Sequence, residues 1–269
     1  MPLPADLRTL AVDLPACPRV LLEMMTLLRD DATPLSAIAS LIEGDMALAA
    51  AVVRTVNSAM FGLLRRVETV GEAVRYLGTR EVAAITLETA LRASFPPTPR
   101  MRRLWQDASR AGLLMGRSAH ALAIDPLHAH TAGLFARGGQ AVLLARLGSH
   151  YEALLDAFEH DPGALCAAEA AAFGIDHGGY GSALCASWGL APNVVHFVRD
   201  RVRAPALWTR HDRALQRMLA LGAVTDRLLR EGEPASLLAE MSEAEAAVDP
   251  DTARLLAVVR PAWERLQTA

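Results

Sequence analysis

The apolar residues of this chain recur at intervals of three and four, which is the spacing of one face of an α-helix. The stretch from Asp45 to Gly78 shows the pattern most completely. Its first run places five residues on one predicted helical face: Met46, Ala49, Ala50, Val53 and Val56. Asp45 precedes this run, and its carboxylate is predicted to cap the helix by accepting hydrogen bonds from the first-turn amides.

Polar residues predict where the helices of this stretch end and begin. Asn57 and Ser58 close the first helix, because their side chains compete with the helix for backbone hydrogen bonds. Thr69 and Glu72 stand three residues apart at the start of the next apolar run, which is the spacing of a capping box. Gly78 is predicted to end that second helix.

The same spacing along the whole chain predicts about fourteen helices and no convincing strand, so the expected fold class is all-α. Prolines at positions 96, 97 and 99 mark the best internal boundary, because a residue before proline is disfavoured in a helix. We therefore expect two packed helical lobes, residues 14–99 and 100–204. An N-terminal lead of residues 1–13 precedes them, and a C-terminal helical extension of residues 205–269 follows.

Charge and composition narrow the possible functions. The chain has 27 basic and 30 acidic residues and a net charge of −3, and every basic residue is arginine. This balance disfavours a general nucleic-acid binder and an anionic membrane surface as partner. The three scattered cysteines indicate small core residues of a reducing compartment. With no signal-peptide pattern and no apolar run of about 20 residues, we expect a soluble cytoplasmic protein.

The combination D-x-A-L…R-x-x-N-S-A-x-F-G…A-V-R-x-L-G, between Asp45 and Gly78, is much more specific than its helices. It resembles the HDOD family, the bacterial signalling domains related to the HD and HD-GYP metal-dependent hydrolases. The resemblance covers about Leu14 to Arg203, so it implies an HDOD-like fold with an HD-like second lobe.

The resemblance raises the question of whether this chain has the metal ligands of the HD hydrolases. Their His-Asp pair would fall in the segment Gly133 to Gly139, where this chain has Ala136 and Arg137. Alanine offers no donor atom, and a guanidinium repels a cation. A later His-His position falls near Asp200-Arg201, also without histidine. We therefore expect no catalytic residue, no metal and no cofactor.

A divergent phosphohydrolase is the alternative, with Asp107, Asp176 and His177 as its candidate ligands. Asp107 or Ala108 stands where relatives often carry histidine, in the segment that begins at Trp105. His177 matches the family's Asp-His segment before a helix. If His177 is not a metal ligand, we expect it to be a packed, hydrogen-bonded histidine at the start of a helix.

Two further motifs have weak functional interpretations. His128 and His130 could chelate a metal only from an extended strand, because residues two apart on a helix face away from each other. The segment Gly178-Gly179-Tyr180-Gly181-Ser182 resembles a phosphate cradle but has neither a preceding strand nor a lysine. Tight helix packing is the expected role of its glycines.

Arginines gather at the end of the resembling region, before an acidic stretch from Glu231 to Asp251. The cluster comprises Arg199, Arg201, Arg203, Arg210, Arg213 and Arg217. A smaller group comprises Arg54, Arg65 and Arg66. Such charges suit docking of a partner, intramolecular pairing or simple solvation of a helical face.

The resemblance, together with the missing metal ligands, implies a non-catalytic bacterial regulatory protein that acts through protein-protein contacts. The resemblance suggests two-component or cyclic-di-GMP circuits as its setting. A nucleotide-binding module that uses the arginine cluster is a further alternative, nucleic acid and membrane are not expected as partners, and a homodimer is compatible with the alanine-rich helices.

Overall fold

The computed structural model of the chain describes residues 14–231 and 252–267, apart from residues 29, 31, 59, 60, 62 and 64. Across these residues the regular structure is helical and contains no strand, so the all-α prediction is confirmed. The predicted lead of residues 1–13 and most of the acidic stretch, residues 232–251, lie outside the described part.

The described chain forms two compact units. The smaller unit contains residues 16–94 and 261–267, and the larger unit contains residues 14–15, 95–231 and 252–260. The smaller unit is built from α1 (Arg19–Leu27), α2 (Leu35–Glu43), α3 (Met46–Val56), α4 (Val70–Leu77) and α5 (Thr79–Ala93).

The buried face of α3 only partly matches the predicted one: Val56 is buried as expected, and Ala49 and Val53 are partly buried against the core. Leu48, Val52 and Val56 are buried in the core of the smaller unit, whereas Met46 is 86% exposed and Ala50 is also exposed. Apolar residues surround most of this helix, so periodicity alone could not select the side that packs. The choice is made by the other helices of the unit, which supply the core neighbours of α3.

Helix capping in the smaller unit follows the sequence closely. Asp45 accepts hydrogen bonds from the amides of Ala47 and Leu48 at 2.9 and 3.1 Å. Thr69 accepts from the amide of Glu72 at 3.1 Å, so the predicted cap of α4 is present.

Two details complete this capping pattern. The Glu72 carboxylate accepts from the amide of Glu68 at 2.8 Å, one residue before the position that an ideal capping box uses. Asn57 ends α3 and also pins the following loop, since its amide group exchanges two hydrogen bonds with the backbone of Val67, at 2.7 and 2.8 Å. The polar residue that ends the helix therefore also fixes the path to α4.

Of the fourteen α-helices within the described residues, thirteen lie wholly in one unit, and the last is divided between the two. The larger unit contains α6 (Pro99–Ala119), α7 (Pro126–Phe135), α8 (Gly138–Leu147), α9 (Ser149–Ala157), α10 (Pro162–Phe173), α11 (His177–Ser187), α12 (Pro192–Asp200) and α13 (Arg213–Glu231). The last helix, α14 (Thr252–Gln267), gives residues 252–260 to the larger unit and residues 261–267 to the smaller one.

Glycines allow α6 and α7 to cross at very short range. A Cβ atom on Gly133 would lie 2.8 Å from backbone atoms of Ala111 and Gly112. On the other helix, Gly112 and Gly116 leave the space that the imidazole of His130 fills. His130 is consequently buried, with 4% of its surface exposed, and its Nε2 has no hydrogen-bond partner.

We expect His130 to make the protein sensitive to mild acid. Burial, with a smaller contribution from the charge of Arg117, lowers the pKa of His130 from 6.5 to about 4. The unfolded chain therefore binds a proton that the folded chain excludes, and the free energy of unfolding falls as pH falls from about 6.5 towards 4. The expected loss is about 2 kcal/mol between pH 6.5 and pH 5.

Urea titrations at several pH values measure this effect. His130→Gln should lose most of this pH dependence, whereas His128→Gln should retain it, because His128 is exposed on the same helix. Equal pH dependence in the wild-type protein and His130→Gln would contradict the assignment.

No individual helix in the described ranges combines the length and apolar character needed to cross a membrane. One strongly bent pair, α2 with α3, meets that test jointly, on length and composition only. Ile38, Ile42, Leu48 and Val52 of this pair are buried in the core of the smaller unit.

Candidate functional site

The larger unit contains a cavity of about 530 Å³ whose lining is rich in arginine. Its walls come from α6, α8, α9, α10, α11 and α13 and from the segments around Phe158 and Arg203. The charged lining residues are Arg100, Arg103, Arg137, Arg201, Arg203, Arg227, Arg230, Asp107, Glu159 and Asp226. The cavity therefore carries an excess of positive charge in a chain whose net charge is −3.

Two of these arginines share a single carboxylate. Arg137 precedes α8 and lies 3.2 Å from Oδ1 of Asp226, on α13, through its Nη2. Arg201 follows α12 and donates to Oδ2 of the same aspartate. The second terminal nitrogen of Arg201 donates to the carbonyl of Ala136 at 3.2 Å. Asp226 thus pairs with two arginines, one just before α8 and the other just after α12.

Charge and burial compete within this group. Burial alone would raise the pKa of Asp226, but attraction by Arg201 and Arg137 outweighs it and holds the pKa below its usual value. Burial lowers the pKa of Arg137, and the charge of Asp226 opposes that effect. Arginine nevertheless remains charged at neutral pH. The group is a cation-anion-cation arrangement with a net positive charge.

A second buried network surrounds Glu169 in the middle of α10. Its Oε2 accepts from the backbone amide of His177 at 2.8 Å and from Nδ1 of the same residue at 2.7 Å. Its Oε1 accepts from the hydroxyl of Tyr151 at 2.5 Å. All three residues are buried, so both oxygens of the carboxylate are satisfied inside the protein.

Cys166 lies at the edge of this network, with its Sγ 3.9 Å from Nδ1 of His177. Burial, followed by the charge of Glu169, raises the pKa of the Cys166 thiol to about 11. Burial and the same charge raise the pKa of Tyr151 well above its ordinary value. Both groups therefore stay protonated at neutral pH.

The three residues that a divergent hydrolase would use do not form one cluster. Asp107 is exposed and His177 is buried, and both line the cavity. Asp176 is instead committed to structure, since Oδ1 caps α11 by accepting from the amide of Gly179 at 2.9 Å. Its Oδ2 pairs with Arg203 at 2.8 Å. His177 is the packed, hydrogen-bonded histidine that its position predicts.

Comparison with known families adds the family assignment to this geometry. The family model of the HDOD domain matches residues 14–203 of the chain. The chain belongs to the HDOD domain family. The match covers the smaller unit through α5 and the larger unit through α12, and it agrees with the extent of the resemblance.

Individual relatives are more distant. An uncharacterized protein of Treponema pallidum (strain Nichols) is 33% identical over 101 residues, which are 37% of this HDOD chain and 20% of the relative. The chain thus spans about a fifth of that relative's length.

Two solved structures match this chain over nearly its full length. An HDOD domain protein with unknown function from Geobacter sulfurreducens aligns with a TM-score of 0.68 and 19% identity, over 94% of this chain and 93% of that chain. A Shewanella amazonensis SB2B protein named "Putative phosphohydrolase" aligns with a TM-score of 0.70 and 19% identity, over 94% and 95%. At these identities the likeness shows the shared fold.

The HD relatives raise the question of a metal, and the residues at their ligand positions do not fit one here. Ala136 has no donor atom. The guanidinium groups of Arg137 and Arg201 both pair with the carboxylate of Asp226. Among the described residues, one other group has suitable atoms within 4.8 Å of one another: Cys166, Glu169 and His177. Its thiol is protonated and its carboxylate already accepts three hydrogen bonds, so it forms a hydrogen-bonded network.

The remaining motifs have structural roles. α7 separates exposed His128 from buried His130, so the two do not chelate together. A Cβ atom on Gly178 would lie 2.6 Å from a methyl group of Val202, and one on Gly181 would lie 2.7 Å from Val198. These glycines of the HDOD larger unit therefore permit close helix packing, as expected.

The C-terminal arginine cluster does not form one basic surface. Arg201 and Arg203 line the cavity, whereas Arg199 pairs with its neighbour Asp200. Arg210 and Arg213 are exposed. In the smaller unit, Arg65 pairs with Glu72 and lies over the ring of Tyr76.

Glu169 and Asp226, the two acids around which the networks form, are not among the functional residues predicted from the sequence. A signal was present for both. Glu169 is the only charged residue of α10, and Asp226 is the only acidic residue between Arg213 and Arg230. A single carboxylate within an otherwise apolar or basic helix indicates a buried partner, because an unpaired buried charge is costly.

Proposed function

We propose that this protein is a non-catalytic HDOD regulatory module that works in bacterial signal transduction through contacts with protein partners. The observation that carries the proposal is the sharing of Asp226 by Arg137 and Arg201. Both arginines stand at or beside positions where the HD hydrolases hold their metals.

Electrostatics supports the non-catalytic half of the proposal. A cation about 4 Å from a guanidinium is repelled by about 4 kcal/mol per unit charge at an effective dielectric near 20. Two such groups occupy the site, and the one carboxylate between them is already neutralised. A metal that lowers the pKa of water would have to displace these ion pairs first.

Metal content measured per chain, on protein purified without chelator, tests this half. We expect less than one equivalent of divalent metal and no metal-dependent hydrolysis of phosphodiesters. The alternative, a divergent phosphohydrolase that uses His177, predicts the opposite: one or two tightly bound equivalents, with turnover that His177→Ala abolishes while the fold is retained.

Capture of partners tests the signalling half. Affinity purification of the tagged chain from the bacterium that encodes it should enrich a component of a two-component or cyclic-di-GMP circuit. Recovery of this chain alone, at any expression level, would contradict a role that depends on a second protein.

A further inference from the structure

We propose that the cavity of the larger unit binds a small organic phosphate that carries at least two negative charges. The inference goes beyond the regulatory function proposed above, because it assigns a small-molecule ligand that protein-protein contact does not require. It is carried by the charge, the size and the walls of the cavity.

The charge of the cavity favours an anionic ligand. Seven arginines and three acidic residues line the cavity, an excess of four positive charges. The chain as a whole has the opposite sign, with a net charge of −3. The positive charge is therefore concentrated in the cavity although the whole chain is negative. Arginines that line one cavity repel each other, and a bound anion would reduce that repulsion.

The internal acids leave part of this charge available. Asp226 serves two arginines, and Arg203 pairs with Asp176. Within the described part of the chain, Arg103 and Arg230 form no ion pair, and both are exposed at the cavity. Arg230 adds to the positive potential already felt by Arg137, since it lowers the pKa of that guanidinium. These two arginines are therefore the groups best placed to receive an added anion.

The N-terminus of α10 also favours an anion in the cavity. Pro162 and Gly163, the first residues of the 12-residue helix α10, line the cavity. A helix N-terminus carries a partial positive charge and favours phosphate groups. The preceding cap, Asp161, is engaged with the amide of Ala164 at 2.9 Å, and its carboxylate is not among the lining residues.

Size and apolar walls indicate an organic ligand. A volume of about 530 Å³ is far larger than one phosphate group and falls in the range of small-molecule sites. Leu104, Leu155, Phe158 and Trp208 add apolar surface to the lining. Arginine suits the charged part of such a ligand, because its planar fork binds phosphate oxygens in pairs.

Isothermal titration calorimetry in buffer with EDTA tests the proposal with five probes: orthophosphate, pyrophosphate, GTP, cyclic di-GMP and uncharged guanosine. We expect saturable binding of at least one of the two nucleotides, weaker binding of the inorganic anions and none of guanosine. Affinity should fall as salt rises.

Two cavity variants and one matched control locate the site. Arg103→Ala and Arg230→Ala should each weaken nucleotide binding by about tenfold, the usual effect of losing a charge-assisted hydrogen bond. Arg213→Ala should change it less than about twofold, because Arg213 is exposed on α13 outside the cavity lining. Thermal denaturation confirms that the three variants remain folded.

Several results would overturn the inference. Absence of saturable binding by both nucleotides at about 1 mM, the weak limit of specific affinity, is one. Equal weakening by all three variants would mean non-specific attraction to surface arginine. Binding of pyrophosphate without either nucleotide would refute the organic part, and binding that appears only when a divalent metal replaces the EDTA would indicate a metal in place of arginine. The metal content of the purified protein does not depend on nucleotide binding. The proposed regulatory function and the proposed organic-phosphate site can therefore be refuted separately.

Discussion

Gly139→Ala should destabilise the protein by about 4 kcal/mol or more, the range of exceptional point mutations. A Cβ atom at this position would lie 1.8 Å from the carbonyl oxygen of His177 and 2.7 Å from the amide nitrogen of Gly181. Both atoms belong to the backbone of α11, so no side-chain rotation relieves the overlap. α8 and α11 would have to separate, which removes buried contacts on both helices.

The neighbouring glycine provides a matched control. A Cβ atom on Gly138 would meet only the methyl group of Leu184 at 3.4 Å and a ring atom of Phe135 at 3.7 Å. Gly138→Ala should therefore change stability by less than about 1 kcal/mol, with a small gain from helix propensity. Urea denaturation of both variants measures the difference, and similar midpoints would show that α8 and α11 do not cross this closely.

Asp226→Asn should cost about 2 to 3 kcal/mol, because it removes the shared partner of two partly buried ion pairs, in which the Asp226 side chain is 22% exposed. Asparagine keeps the shape of the side chain but leaves Arg137 and Arg201 facing each other without a carboxylate. Removing one of the arginines as well, in Asp226→Asn with Arg137→Met, should restore part of the loss. A double-mutant cycle measures that coupling.

The pH dependence of the same group has a definite sign. Because the folded pKa of Asp226 lies below its ordinary value, its stabilisation is complete above the unfolded pKa of about 3.9. It is lost as pH falls through the lower folded pKa, so the Asn variant should lack this acid-range component.

An exposed ion pair serves as the control for Asp226. Asp156 pairs with Arg100 at 3.0 Å, but its side chain is 66% exposed. Asp156→Asn should therefore cost less than about 1 kcal/mol. Equal losses for the two aspartates would contradict a special role for Asp226.

Local signals in the sequence were enough to predict much of this structure. Asp45, Thr69 and Gly78 mark helix ends in the sequence because capping depends on backbone groups two to four residues away. The sequence also shows that Ala136 and Arg137 stand in place of the His-Asp pair, because a motif consists of residue types at fixed positions close together in the chain. The packing role of Gly178 and Gly181 also followed from their context.

Long-range pairing decided the rest. Arg137 and Asp226 are 89 residues apart in the chain, and Tyr151 on α9 and His177 on α11 both contact Glu169 on α10. Helix crossings bring these groups together, and their geometry depends on packing along the whole of each helix. The cavity likewise combines residues of several helices, so no single stretch predicted it.

The sequence by itself therefore determined the helical class, the helix ends, the resemblance to HDOD domains and the loss of the hydrolase motif. Each of these depends on residue types within a few positions of one another. Only the tertiary structure decided which face of α3 is buried, which acids hold the arginines and where positive charge is left exposed. These features depend on contacts between distant segments, where burial sets the cost of every unpaired group.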